Sequence, residues 1–292
     1  MKTLEVMIKT RPTSAVRIRL IRASHSVNTA RTWRARFFSN MAGLCAGLMV
    51  VSAHASFQVV DDFDNLMLGN IDGKNGWVAT LTSGEVILDP SDNNNQTLKV
   101  STESGILHKA ESIDQDTTRM LFLRLRFDTH GRYSFGFSHL LNPDEYSDFG
   151  PELGMAAETA SDPNNDFRVA NNLTTGIYDV LDTLAPGTWY NVWVLVDNTS
   201  NTYKVWMNSV PGRDARATDQ LKNSAGKSEF GFRTSASDLI NFFIKTGGGD
   251  SPVDGRFYID DIYLENTTDI NLINPTPTID MSWWPPIQYL LR

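Results

Sequence analysis

Two adjacent carboxylates interrupt an apolar stretch near the end of the chain, Arg256-Phe-Tyr-Ile-Asp-Asp-Ile-Tyr-Leu-Glu265. Side chains of a regular strand alternate between two faces, so Asp261 would share a face with Phe257 and Ile259, and Asp260 would lie on the other. A buried carboxylate is costly unless it accepts hydrogen bonds, pairs with a cation or binds a metal. Each face of this predicted strand therefore needs a partner for its aspartate.

A second acidic group, Asp61-Asp62-Phe63-Asp64, is the candidate partner. β-Sandwiches often place the first and last strands side by side, which would bring this group to the closing strand. Calcium takes carboxylate and carbonyl oxygens as ligands. We therefore predict a structural Ca²⁺ held by Asp62, Asp64 and Asp261. The alternative is that these acids are exposed at a sheet edge or accept hydrogen bonds from turn amides.

Two neighbouring segments alternate apolar residues with arginine, serine and glycine. If Phe127 faces Tyr133 across a five-residue turn, the two segments form a hairpin with one apolar face. The other face then carries Arg124, Arg126 and Ser134. This register separates apolar from polar residues, as a half-buried antiparallel pair requires.

Such a polar face favours a carbohydrate, because it offers hydrogen-bonding groups and nearby aromatic rings. The predicted carbohydrate-binding residues are Arg124, Arg126, Ser134, Trp77 and Tyr146. The alternative is a polysaccharide lyase, which needs a proton acceptor and a cation that stabilises the developing enolate. The residues available for that reaction are His139, Arg124 and Arg126.

Short β-rich segments recur between clusters of Gly, Pro, Asn, Asp and Ser, and none has sustained helical periodicity. This pattern predicts an all-β sandwich or barrel. The predicted strands lie near residues 57–61, 76–81, 85–89, 97–101, 118–127, 132–139, 152–157, 166–170, 175–180, 189–197, 202–208, 228–233, 240–246 and 256–265.

Residues 1–55 have the features of an export signal. They carry nine basic residues and one acidic residue, and they include the short apolar run Met41-Ala-Gly-Leu-Cys-Ala-Gly-Leu-Met-Val-Val-Ser52. Ala53-His54-Ala55 supplies small residues for cleavage before Ser56. We therefore predict a secreted, periplasmic or cell-surface protein. The only cysteine, Cys45, lies in the apolar run, so the remainder has neither a disulfide nor a thiolate ligand.

Residues 56–292 carry 17 basic and 33 acidic residues, a net charge of −16. A charge of this size argues against nucleic acid and anionic membrane as partners. The expected partner is a polysaccharide or glycan, and the expected state is a monomer.

Several motifs resemble the concanavalin A-like lectin and glucanase jelly rolls, in the laminin-G-like group of exported bacterial proteins. The motifs are Asp61-Asp62-Phe63-Asp64, Leu68-Gly-Asn-Ile-Asp-Gly-Lys-Asn-Gly-Trp77, Gly187-Thr-Trp-Tyr-Asn-Val-Trp193, Asp197-Asn198, Tyr203-Lys-Val-Trp206 and Phe257-Tyr-Ile-Asp-Asp-Ile-Tyr263. The resemblance implies a two-sheet antiparallel jelly-roll domain over residues 56–266. After that domain the β pattern fades into Asn274-Pro-Thr-Pro277, which predicts that residues 267–292, with Trp283 and Trp284, form a linker-like tail. Similar jelly rolls often hold a structural calcium, which supports the predicted metal site.

The resemblance does not choose between binding and catalysis, because one fold hosts both. Glucanases of this group place paired acids on one strand, and no such strand is present here. The arginine, glutamine and histidine signatures of alginate lyases with this fold are also missing. We therefore favour a calcium-stabilised, non-catalytic carbohydrate-binding or cell-surface module, with a polysaccharide lyase, or less readily a glycoside hydrolase, acting from the concave sheet face as the alternative.

Overall fold

A computed structural model describes residues 7–10, 14–17, 57–80, 83–101, 105–129, 131–155, 165–171, 178–234, 237–247, 256–265 and 270–276. The chain divides into two compact units, residues 1–52 and 53–292. In the first unit, β1 (Met7–Thr10) and β2 (Ser14–Arg17) form an antiparallel pair. In the part of the chain that is described, no helix is long and apolar enough to cross a membrane. The apolar run at 41–52 and the Trp283-Trp284 pair lie outside the described residues.

The second unit is built of strands with two short 3-10 turns, Tyr146–Asp148 and Ala217–Asp219. Its strands are β3 (Gln58–Asp61), β4 (Gly69–Asn70), β5 (Trp77–Ala79), β6 (Gly84–Asp89), β7 (Asp92–Ser101), β8 (Ile106–Ile113), β9 (Thr118–Thr129), β10 (Tyr133–Ser138), β11 (Phe149–Met155), β12 (Asp166–Ala170), β13 (Tyr178–Thr183), β14 (Tyr190–Asp197), β15 (Thr202–Asn208), β16 (Phe230–Gly231), β17 (Leu239–Thr246) and β18 (Arg256–Glu265).

These strands form two antiparallel sheets. The seven-stranded sheet has the order β13-β12-β11-β10-β17-β8-β5. The nine-stranded sheet has the order β16-β15-β14-β9-β18-β7-β6-β4, and β3 also pairs with β18. The apolar inner faces pack against each other to form the core. The predicted all-β, two-sheet sandwich is confirmed, as is the pairing of its first strand, β3, with its last strand, β18.

The predicted hairpin between β9 and β10 is wrong. β9 pairs with β14 and β18 in the nine-stranded sheet, whereas β10 pairs with β11 and β17 in the seven-stranded sheet. The alternation of residues identifies the apolar face of each strand. It does not show whether that face matches a neighbouring strand in the same sheet or packs against a strand of the other sheet. Arg124 and Ser134 therefore lie on opposite outer faces of the molecule.

The hairpin predicted from Trp189-Tyr-Asn-Val-Trp-Val-Leu-Val-Asp197 and Thr202-Tyr-Lys-Val-Trp-Met-Asn208 is confirmed. Trp193 is opposite Trp206, and β14 lies between β15 and β9. The central place of β14 explains why it is apolar on both faces.

The outer face of the nine-stranded sheet has its own apolar cover. The buried residues of this cluster are Met120, Phe122, Trp193, Leu195, Trp206 and Ala215, with Phe57, Tyr263 and Leu272 packed on them. The indole of Trp193 donates to the carbonyl of Ile273 at 3.1 Å, and the amide of Ala215 donates to the carbonyl of Leu272 at 2.9 Å. Residues 270–276, which the sequence assigned to the tail, thus pack on the sheet.

β8 was not predicted, because His108 and Lys109 interrupt its apolar pattern. Both residues are buried in the structure. β8 lies between β17 and β5 in the seven-stranded sheet.

The carboxylate of Asp61 accounts for the buried lysine and joins the two sheets. Asp61 ends β3, and its Oδ2 accepts from the indole of Trp77 at 2.8 Å and from Lys109 Nζ at 3.2 Å. The amide of Asn75 donates to the same oxygen at 2.9 Å, and the backbone amide of Phe63 donates to Oδ1 at 3.0 Å. Trp77 and Lys109 belong to the seven-stranded sheet, so this buried carboxylate connects its edge to the nine-stranded sheet.

Replacing Asp61→Asn should lower the free energy of unfolding by about 3–5 kcal/mol, because it leaves the ammonium of Lys109 buried without a counter-ion. Urea unfolding followed by tryptophan fluorescence measures the change. Adding Lys109→Met should recover part of the loss. The control Glu85→Gln breaks an exposed ion pair with Lys99, at 3.5 Å, and should cost less than about 1 kcal/mol. Equal losses for Asp61→Asn and Glu85→Gln would contradict this role of Asp61.

Candidate functional site

The two carboxylates of β18 lie at a β-bulge. The register between β18 and β9 shifts between Asp260 and Tyr263, and the backbone φ of Asp261 is 52°. Aspartate adopts this left-handed conformation more readily than most residues. The extra residue breaks the alternation, so Ile262 faces the core and both aspartates leave it. The predicted placement of the two aspartates on opposite faces is therefore wrong.

Arg124 on β9 supplies the cation that these carboxylates need. Its Nη1 lies 3.0 Å from Asp261 Oδ2 and 3.7 Å from Asp260 Oδ2. Asp260 is fully buried, and its Oδ2 also accepts from the side-chain amide of Asn95 at 2.7 Å. The guanidinium of Arg124 in turn lies 4.8 Å from the ring centre of Trp189. Arg124 is thus a protein cation beside Asp261, one of the three predicted calcium ligands.

Asp62 and Asp64 do act on Asp261, as the pairing of the first and last strands predicted. Burial raises the pKa of Asp261, and Arg124 opposes that rise. The negative charges of Asp64 and Asp62 raise the pKa of Asp261 further. Asp64 Oδ1 also accepts from the backbone amide of Gln96 at 3.0 Å. Within the described ranges, no three His, Cys, Asp or Glu side chains converge closely enough to hold a metal ion. The carboxylate oxygens of Asp62, Asp64 and Asp261 are therefore of the type that Ca²⁺ prefers, but the three side chains do not converge on one point.

Arg126, the second predicted carbohydrate ligand, is also engaged within the protein. Its Nε lies 2.8 Å from Asp128 Oδ1, and its guanidinium carbon is 5.8 Å from the ring centre of Tyr258. The hydroxyl of Tyr258 donates to Asp128 Oδ2 at 3.2 Å. Both predicted arginines on this face are therefore paired with aspartates of the protein.

Ser134 belongs to a different group, on the outer face of the seven-stranded sheet. Its hydroxyl donates to Glu152 Oε1 at 2.8 Å. The hydroxyl of Tyr178 lies 3.1 Å from the same oxygen, and Arg233 Nη1 lies 2.6 Å from Glu152 Oε2 and 2.5 Å from the Tyr178 hydroxyl. We call Ser134, Glu152, Tyr178 and Arg233 the Glu152 cluster.

The strands of the Glu152 cluster explain its position. Ser134 alternates with the core residues Tyr133 and Phe135 on β10, and Glu152 precedes the core residue Leu153 on β11. β10 and β11 approach so closely that an added Cβ at Gly154 would lie 1.9 Å from the carbonyl oxygen of Tyr133. Glycine at this position therefore lets the two strands pair without a clash against the backbone of β10.

The chemistry of the Glu152 cluster is that of a rigid hydrogen-bonding surface. Burial, together with the charge of Glu152, raises the pKa of Tyr178, so its hydroxyl stays protonated at neutral pH. A tyrosine that acts as a general base requires the opposite shift. Arg233 is paired with Glu152, and Glu152 is 1% exposed. The cluster therefore holds a phenol and a guanidinium in place without an activated base.

The other predicted site residues are Trp77, Tyr146 and His139. Of these, Tyr146 lies near the Glu152 cluster: burial raises its pKa, and the charge of Glu152 adds to that rise. Trp77 is buried in the core beside Phe63 and is not open to a sugar ring. Tyr146 is also buried, and the guanidinium carbon of Arg132 lies 3.8 Å from its ring centre. His139 follows β10 in the seven-stranded sheet, so it does not meet Arg124 and Arg126. The predicted lyase trio is not brought together.

Sequence reasoning missed Glu152, Tyr178 and Arg233. A signal for Glu152 was present, because a glutamate between Pro151 and Leu153 in a predicted strand needs a partner, as Asp260 does. Its partners come from β10, β13 and the segment after β16, and only the strand order brings these together.

A shallow cleft of about 280 Å³ lies near the Glu152 cluster, at the edge of the sandwich. It is lined by Asn171, Thr202, Lys227, Glu229 and Gly231. We call it the edge cleft. Its lining side chains are all polar, and none was singled out as a site residue in the sequence.

No protein-family model matches the sequence, and no curated protein sequence matches it. Similar solved structures include a sialidase, with a TM-score of 0.49 and 12% identity over 73% of this chain and 19% of that chain. The carbohydrate recognition domain of Emp47p has a TM-score of 0.46 and 13% identity, over 74% of this chain and 100% of that chain. The catalytic domain of a glycoside hydrolase family 131 protein from Coprinopsis cinerea has a TM-score of 0.46 and 12% identity, over 74% of this chain and 98% of that chain.

The aligned part spans about a fifth of the sialidase. At 12–13% identity these likenesses extend to the fold alone. They include lectin-type and glucanase-type jelly-roll domains.

Removing the cation from β9 should make stability strongly dependent on pH. Burial raises the pKa of both Asp260 and Asp261 above the usual 3.8, so the folded protein retains protons that the unfolded chain releases as the pH rises above about 4. The free energy of unfolding therefore falls with rising pH, and Arg124 limits that fall. Arg124→Met should cost about 3–5 kcal/mol at pH 7 and less at pH 5.

Urea unfolding at the two pH values measures this difference. The control is Arg256→Met, which removes an exposed arginine from β18. A loss for Arg124→Met that is the same at both pH values, or no larger than that of the control, would contradict the role assigned to Arg124.

Proposed function

We propose that the protein is an exported, non-catalytic carbohydrate-binding module that binds a glycan on the outer face of its seven-stranded sheet. The observation that carries this proposal is the Glu152 cluster. A carboxylate, two hydroxyls and a guanidinium converge there, and Glu152 holds the other three side chains through bonds of 2.6–3.1 Å. A few fixed polar groups of this kind give a small-molecule site its orientation and specificity.

Both outer faces carry an arginine paired with a carboxylate, so the faces differ in the groups that lie beside those pairs. On the nine-stranded sheet, Arg124 and Arg126 are neutralised by aspartates, and residues 270–276 cover the tryptophans of the sheet. On the seven-stranded sheet, Tyr178 stays half-buried at the edge strand β13. Its phenol is therefore a group that a glycan can reach, with Glu152 beneath it as the side chain that fixes it.

The net charge supports a glycan over other polymers. The 33 acidic and 17 basic residues of 56–292 disfavour nucleic acid and anionic membrane. The export signal predicted at residues 1–55 supports a role outside the cytoplasm, where polysaccharides are the abundant ligands.

Binding is better supported than lysis or hydrolysis. A lyase needs a base, and the raised pKa of Tyr178 works against that role. A glycosidase uses two carboxyl groups that flank one bond, and the Glu152 cluster contains one.

Calcium belongs to the proposal as a stabilising ligand of the acidic group around Asp261, apart from the glycan site. The support is the charge of Asp62 and Asp64 acting on Asp261. Because that group and the Glu152 cluster lie in different sheets, calcium should leave glycan affinity unchanged.

The first test is retention of the purified protein on neutral and uronate-containing polysaccharides, with and without Ca²⁺, while new reducing and unsaturated ends are measured. Retention without new ends is expected. Turnover of any polysaccharide, or no retention on the panel, would contradict the proposal.

The second test compares two tyrosines. Tyr178→Phe removes the hydroxyl held by Glu152. It should lower the affinity for the retained glycan about three- to tenfold, which is the effect of losing one hydrogen bond. Tyr258→Phe is the matched control, because Tyr258 also lies near an arginine and donates to a carboxylate, but on the nine-stranded sheet. Calorimetric titration measures both. Equal affinities for the two variants would contradict the assigned site.

A further inference from the structure

The edge cleft presents an ammonium and a carboxylate that are both exposed. Lys227 Nζ donates to Asn171 Oδ1 at 2.8 Å, and the side-chain amide of Asn171 donates to Asp179 Oδ2 at 2.5 Å. The other charged group, Glu229, lies 2.9 Å from Lys204 and its side chain is 51% exposed. An ammonium has three donor hydrogens and a carboxylate has several acceptor positions, so these contacts leave hydrogen-bonding capacity on both groups.

The edge cleft adjoins the Glu152 cluster through β12 and β13. Ala170 is opposite Tyr178 in that pair, and the next residues, Asn171 and Asp179, carry the contact that holds Lys227. On the other side, Gly231 and Arg233 belong to one short segment. The edge cleft and the Glu152 cluster therefore draw their residues from the same part of the chain.

The lining favours a neutral sugar. Two adjacent hydroxyls of a sugar ring suit the cleft, because one donates to Glu229 and its neighbour accepts from Lys227. The volume, about 280 Å³, is close to the lower limit of roughly 300 Å³ for small-molecule sites, and provides room for about one sugar unit. A uronate carboxylate could accept from Lys227, but it has no hydrogen to donate to Glu229, and the acidic character of the domain opposes it.

We propose that the edge cleft binds one neutral sugar unit through two adjacent hydroxyls, with Lys227 and Glu229 as the residues that select it over a uronate. This inference rests on the proposed function, and it assigns the class of glycan and the residues that recognise it. Thr202 and Asn171 complete the polar lining.

Two substitutions and a matched pair of controls test the assignment. Glu229→Gln and Lys227→Met should each lower the affinity for a retained neutral glycan about tenfold, as measured by calorimetric titration. Glu229→Gln should also raise the affinity for a uronate-containing glycan relative to the neutral one. The controls Glu85→Gln and Lys99→Met alter an ion pair of similar exposure, 49% and 35%, on β6 and β7 and should leave both affinities unchanged.

The outcomes separate the two proposals. If the unaltered protein retains no glycan, the proposed function fails. If it retains a glycan and Tyr178→Phe weakens binding, but Glu229→Gln and Lys227→Met match their controls, the function stands and the edge cleft is not part of the site. Tighter binding of uronates than of neutral glycans by the unaltered protein would also overturn the assigned selectivity. Thermal unfolding of each variant confirms that it is folded, which the exposure of the substituted side chains leads us to expect.

Discussion

The buried carboxylate of Asp61 is the interaction on which the relation between the two sheets depends. Apolar packing between sheets is strong but non-directional, so fixed polar contacts must define how the edges meet. Asp61 accepts from Trp77 and Lys109 on one edge of the sandwich. Near the opposite edge, the hydroxyl of Tyr203 on β15 donates to the carbonyls of Glu152, at 2.9 Å, and Ala170.

The second of these contacts also supports the candidate site. Tyr203 holds the backbone of Glu152 and Ala170, and the side chain of Glu152 holds Tyr178 and Arg233. The glycan site proposed here is therefore built on strands that are fixed from inside the sandwich. Rigid support of this kind keeps polar groups in position for a ligand and lowers the entropy lost on binding.

The sequence predicted the fold class, most strands, and the pairing of the first and last strands, because these follow from alternation and turn residues. It did not predict which strands share a sheet. The apolar face of β9 is compatible with β10 as a neighbour in the same sheet and with β10 in the opposite sheet. The predicted β9–β10 hairpin therefore placed Arg124 beside Ser134, which was wrong. β8 was missed because the burial of Lys109 depends on Asp61, nearly 50 residues earlier in the chain.

The candidate site was the part least accessible to sequence reasoning. Asp260 and Asp261 correctly indicated a need for a partner, but a one-residue bulge turned both toward Arg124, and alternation alone cannot predict a bulge. Glu152 carries a similar signal in a shorter strand. Its partners, Ser134, Tyr178 and Arg233, come from segments that only the strand order brings together.

Hydrogen–deuterium exchange of the purified protein, with and without a glycan that it retains, tests the central claim most directly. We predict that the glycan protects backbone amides in β12, in β13 and in residues 227–234, and leaves β9 and β18 unchanged. Protection confined to β9 and β18 would place the ligand on the nine-stranded sheet beside Arg124 and would contradict the account.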